Sequence, residues 1–123
     1  MIKLVFCLRR LPTLSMSAFQ HYWFENHAEL VRRHAAALRI RRYTQSHAFS
    51  DVRLSPTIEV RGGRIDAYDG VAELWWDSAE DLIEAISSPE GQVAGTALLE
   101  DERTFIDLPN SPLFFTNERV ITN

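Results

Sequence analysis

The sequence predicts an α+β domain, a ferredoxin-like layer in the order β-α-β-β-α-β with four antiparallel strands and helices packed on one face. Three observations carry this. Ile2 to Leu8 and Asp69 to Trp76 are apolar on both faces of a strand, which suits central strands that need cover on each side. A long amphipathic helix can start near Ser15, and a second helical region follows the third strand. At 123 residues and 46% apolar composition the chain is sized for one core, so residues 1–123 are read as a single domain.

The first strand, Ile2 to Leu8, ends at Arg9-Arg10-Leu11-Pro12, because Pro12 cannot donate to a ladder. Ser15 is the preferred N-cap of the first helix, and Ser17 with Gln20 three residues on offers an alternative start. That helix is expected to run to about Ala37 or Leu38. With His27 at the origin of a wheel of about 100° per residue, Met16, Gln20, Trp23, Leu30, Val31, His34 and Leu38 fall within roughly 60° of it, which puts an imidazole on the inward stripe. Glu25, Glu29, Arg32 and Arg33 take the solvated side, with Glu29 and Arg33 at a favourable spacing of about one turn.

Ile40 to His47 alternates as a second strand. Arg41, Tyr43, Gln45 and His47 share one face, and neither face is clearly apolar. Ala48 to Tyr68 is a long excursion with a short pairing expected around Thr57 to Arg61. After the third strand, Asp77-Ser78 caps a helix over Ala79 to Ser87 with Leu82, Ile83 and Ile86 inward; Pro89 interrupts it, and Glu90 to Glu102 continues with Val93, Ala97 and Leu98. Leu113 to Ile121 closes the chain as a fourth strand. Asp101 and Glu102 are read as solvating a helix end.

A formal charge of -4 with no basic run leaves nucleic acid and acidic membrane surfaces without an electrostatic footprint. No stretch approaches a membrane span, and the start lacks the pattern of a secretory signal, so a cytoplasmic protein is expected. The single cysteine, Cys7, excludes an intrachain disulfide. His27, His34 and His47 are too widely spaced to read as a zinc site, so no metal is expected. The first and third strands carry apolar residues on the sheet face that helices leave uncovered, which predicts a homodimer closing two sheets face to face.

The ordered set of motifs resembles the EthD group of the dimeric α/β-barrel superfamily over nearly the whole chain. The resemblance rests on Ser15 to Phe19 leading to Trp23-Phe24-Glu25-Asn26-His27-Ala28-Glu29-Leu30-Val31, on Arg42-Tyr43 followed by His47, on Asp69 to Ser78, and on Glu100-Asp101-Glu102 before Phe105. Trp76 stands where phenylalanine is expected, and Ser46 where asparagine is expected. The resemblance implies a dimeric α/β barrel without a cofactor, binding a small hydrophobic or aromatic metabolite. Activities in such families include dehydration, cyclisation and isomerisation of carbonyl compounds.

That chemistry needs one group to remove a proton next to a carbonyl and another to protonate a leaving hydroxyl or an enolate, and histidine suits both near neutral pH. His27 and His47 are the expected catalytic pair, with burial lowering the pKa of His27. Tyr43 can donate to a developing oxyanion, and Phe6, Trp23 and one of Trp75 or Trp76, of which Trp76 is preferred, supply an aromatic wall. Trp23 has a second reading as plain core, and Glu73 either orients a histidine or pairs with one of the arginines. Two other functions remain open: a cofactor-free or haem-degrading monooxygenase on the same scaffold, and a non-catalytic accessory protein that only holds a hydrophobic metabolite.

Overall fold

The computed structural model describes residues 1–64 and 66–123. Four strands, β1 (Ile2–Leu8), β2 (Arg42–His47), β3 (Gly70–Trp76) and β4 (Leu113–Asn117), form one antiparallel sheet in the order β2-β3-β1-β4. Alternation assigns the faces. Phe6 and Leu8 are buried towards the helices together with Ala72 and Trp76, and the register pairs Phe6 with Ala72 and Ile2 with Trp76. Lys3, Val5 and Cys7 therefore point outward, beside Trp75, Glu73 and Val71.

The first helix is interrupted. α1 (Met16–Tyr22) is capped by Ser15, whose hydroxyl accepts from the Ala18 N–H, as expected. A π-helical turn then occupies Trp23–His27, and α2 (Ala28–His34) follows. The chain leaves the helix after His34, sooner than expected, through a turn in which Arg39 adopts a φ of 57°. On a wheel of about 100° per residue the buried Phe19 and Trp23 lie roughly 80° and 40° to one side of His27, whereas Val31 and Ala28 lie roughly 40° and 100° to the other. A constant period cannot bury both sets. The π turn supplies the missing phase and keeps His27 inward between them. The salt bridge on the solvated side is Glu29 with Arg32, not Arg33.

The excursion carries no strand among its described residues: a 3₁₀ turn (Val52–Leu54) leads into a short helix, α3 (Ser55–Glu59), started by Pro56, which overlaps the stretch from Thr57 to Arg61 where a pairing was expected. α4 (Ala79–Ser87) is capped by Ser78 and α5 (Pro89–Glu102) by Ser88. The inward faces of these two helices are built from small residues. Ala85, Gly91 and Ala94 are buried; of the expected stripes Leu98 is buried and Leu82 half-buried, while Ile83, Ile86 and Val93 are exposed. A Cβ on Gly91 would lie 1.7 Å from the Ala85 carbonyl oxygen, so the α4–α5 junction closes only over glycine. β4 stops at Asn117, four residues before the expected Ile121.

Gly70 seats the core. A Cβ there would come 2.4 Å from the Trp23 ring and 2.9 Å from the Ser46 carbonyl oxygen, and Trp23 is fully enclosed between Phe19 and His47. Gly70→Ala is expected to cost about 2–3 kcal/mol by overpacking. In a Trp23→Phe background the same change should cost clearly less, because the smaller ring yields the space. Urea midpoints of the four proteins in the cycle check both values.

Candidate active site

A cavity of about 320 Å³ lies between the helix layer and the inner face of the sheet. Phe6, Trp23, His27, Tyr43 and Trp76 all line it, so five of the six residues singled out from sequence meet in one place. Leu4, Leu74, Val31 and Leu98 fill the wall between them. The opening is rimmed by Ile86, Leu99, Leu113 and Phe115, each at least 40% exposed. Trp76 is fixed by its indole N–H, which donates to the Leu38 carbonyl at 2.8 Å.

His27 is 6% exposed. Its Nδ1 lies 2.8 Å from a carboxylate oxygen of Asp101, and the other oxygen of Asp101 accepts from the Tyr22 hydroxyl at 2.5 Å. A carboxylate only accepts, so Nδ1 carries the hydrogen and Nε2 keeps its lone pair for a ligand. Phe105 packs on both partners, 5.0 Å from the His27 ring and 5.0 Å from Tyr22. Burial pulls the imidazole below its ordinary value and outweighs Asp101, which pulls the other way, so the ring is a neutral base.

Asp101 and Glu102 correct the expectation that they merely solvate a helix end. Successive residues on a helix point about 100° apart, so one faces the π turn and the other the cavity. Glu102 lines the cavity, and its carboxyl is pushed up to about 7 by burial first and by neighbouring Asp101 second. It is the ionisable carboxyl in the wall, and no lysine or arginine lines this cavity among the described residues. A sequence signal existed: Glu100, Asp101 and Glu102 crowd the C-terminal turn of α5, where the helix dipole disfavours acids, and Arg103 pairs with Glu100 alone.

His47 is not brought to the cavity. It sits on the inner face of β2, but Trp23 stacks over it at 4.4 Å and closes it off, while its Nε2 meets Gln45 Oε1 at 2.8 Å. Gln45 in turn donates to the Trp23 carbonyl at 2.9 Å and to the Tyr43 hydroxyl at 2.8 Å. The buried Trp23 indole N–H makes no hydrogen bond of normal geometry. Burial raises the Tyr43 phenol, and Gln45 and Trp23 draw it partly back. Glu73 pairs with Lys3 at 2.7 Å on the outer face, far from any histidine role. Among the described residues no group of three or more His, Cys, Asp or Glu side chains could hold a metal ion, and no helix is long and apolar enough to cross a membrane.

Comparison with known proteins adds a family and a set of folds. The sequence pattern of the EthD domain matches residues 11–109. An EthD family protein from Bacillus halodurans c-125 superposes with a TM-score of 0.61 at 20% identity, covering 97% of this chain and 100% of that one. An EthD-like protein from Ralstonia eutropha JMP134 gives 0.63 at 18% identity over 98% of this chain and 94% of the other. A dimeric protein of ferredoxin-like fold and unknown function from Bacteroides fragilis NCTC 9343 gives 0.58 at 9% identity over 95% of each chain. At these identities the likeness is one of fold. No curated protein matches the chain.

Proposed function

We propose that this chain, which belongs to the EthD family, is a cytoplasmic, cofactor-independent lyase or isomerase that moves protons on a small uncharged carbonyl or aromatic metabolite. The observation that carries this reading is the His27–Asp101 pair set in the wall of an apolar cavity. The carboxylate bonded to Nδ1 fixes the tautomer and orientation of the buried neutral imidazole and leaves Nε2 as an oriented base.

For a β-hydroxy ketone the steps balance as follows. His27 Nε2 takes the proton from the carbon between the two functions, and the electron pair moves into an enolate whose oxygen accepts from Tyr43. Glu102, protonated below about 7, gives its proton to the hydroxyl, the C–O bond breaks, and water leaves with an enone. The imidazolium proton then returns the pair to its starting state through solvent. Without the leaving hydroxyl, the same groups carry out isomerisation. The absence of cations from the described wall, together with Glu102, disfavours carboxylate and phosphate ligands.

The test is exchange. A ketone that binds the cavity should lose its α-protons to deuterium in heavy water with the wild type, followed by NMR; a ligand that binds tightly with no exchange above the uncatalysed rate would leave an accessory binding protein instead.

The homodimer belongs to the same proposal. Two structural neighbours are dimeric ferredoxin-like proteins, and the outer sheet face here offers half-buried Val5, Cys7 and Val71 beside exposed Phe114. Trp75, which shares this face, is already covered within the chain by Lys3, Arg42 and Glu118. Light scattering at micromolar concentration is expected to read twice the 14.1 kDa chain mass; a monomer would remove the barrel.

A further inference from the structure

We propose that Gln45 and His47 are positioning residues that hold Tyr43 as a one-way hydrogen-bond donor into the cavity, so that the site takes ligands presenting an uncharged oxygen acceptor, a ketone, aldehyde or quinone carbonyl. This rests on the reading of the cavity as a ligand site.

The argument starts from a group with no choice. The Trp23 carbonyl can only accept, and the π turn already gives it the Ala28 N–H. Gln45 reaches the same oxygen at 2.9 Å, so the end of its amide at that point must be nitrogen. The second hydrogen of that nitrogen goes to the Tyr43 oxygen at 2.8 Å. Tyr43 is thereby an acceptor towards Gln45. The phenol proton has to point away from the Gln45 nitrogen. Tyr43 lines the cavity, so that is where an acceptor for the proton can be met.

The far end of the amide is fixed in the same way. Gln45 Oε1 accepts from His47 Nε2 at 2.8 Å, which puts the hydrogen of His47 on Nε2 and stops the amide from turning over. A reversed amide would turn its oxygen to the Tyr43 hydroxyl and consume the proton meant for the ligand. His47 thus reaches the cavity through Gln45 without touching it, from the side of Trp23 that faces away.

The experiment compares acetophenone with ethylbenzene as probes, and titrates the tyrosinate absorbance of the ligand-free protein, with Tyr43 assigned by Tyr43→Phe. Gln45→Glu and Tyr43→Phe should each shift the ketone-to-hydrocarbon affinity ratio against the ketone by about fivefold, the effect of one hydrogen bond, with ethylbenzene binding changed less than about twofold. His47→Phe keeps a ring on Trp23 and removes the donor, and should shift the ratio by about twofold. Gln45→Glu should also raise the Tyr43 titration midpoint, because a donor to the phenolate is replaced by an anion. A midpoint that does not move overturns the positioning role whatever the probes do. A ratio that changes in Tyr43→Phe alone overturns the part of Gln45 and His47 and leaves the cavity reading standing. Probes that fail to bind the wild type overturn the ligand class together with the cavity reading beneath it.

Discussion

Replacing His27 with Gln is expected to lower the exchange or turnover rate of a bound carbonyl compound by about 10²- to 10⁴-fold, the range a positioned general base supplies. The substitution keeps a polar side chain of similar reach, so the cavity persists and ligand affinity should change little. Asp101→Asn should lower the rate less, because the amide can still accept from Nδ1 while losing the charge that stabilises the imidazolium. The decisive comparison is between rate and affinity. Loss of rate with affinity retained marks a group acting in the transition state; equal loss of both would make His27 a packing residue and end the proposal.

Glu102→Gln is expected to stabilise the protein at alkaline pH while impairing turnover. The sign follows from the direction of the shift. Unfolded, the carboxyl titrates at its ordinary 4.5; folded, burial and Asp101 hold it at about 7. Below the unfolded value both states are protonated and Glu102 has no effect on stability. Between the two values the native state alone keeps the proton, so stability falls as pH rises, and above about 7 the full cost is present. The shift amounts to at most about 3.5 kcal/mol at about 1.4 kcal/mol per unit. Urea midpoints of wild type and variant should therefore coincide at pH 4 and separate by pH 8, with the variant more stable. Turnover in the wild type should likewise fall above about pH 7 as Glu102 loses the proton it donates, a fall that the glutamine variant would not show.

The parts of the fold legible in sequence were those with one strong period or none. β1 and β3 read correctly because they are apolar on both faces, and the inner face of β2 places Tyr43 towards the helices as its alternation allows. The stripes of α4 and α5 were legible only in part: Leu98 is buried as its stripe predicts, but the contact between the two helices uses Ala85, Gly91 and Ala94, where closeness of backbone replaces bulk, and Ile83 and Val93 stay exposed. The π turn was invisible to a wheel that assumes a single period. His27 was singled out correctly as buried, yet its hydrogen-bond partner lies 74 residues along the chain, beyond any spacing argument. His47 shows the complementary limit: residue type and strand end marked it, and only the position of the Trp23 ring separates it from the cavity.

The π turn at Trp23–His27 also bears on how such a site can arise and disappear. It is one residue more than an α-helix needs, held by the Ala28 N–H reaching back to Trp23 and by Gln45 on the same carbonyl. Removing a single residue from this stretch would let the helix close into regular turns with every backbone group still bonded. The scaffold would survive, because the faces of α1 and α2 would keep the phase that the π turn now gives them, and what would change is the set of side chains that the Trp23–His27 stretch turns into the cavity wall. Scaffold and site are thus separable at this turn, and a relative with an unbroken helix here is expected to keep the fold while presenting a different cavity wall.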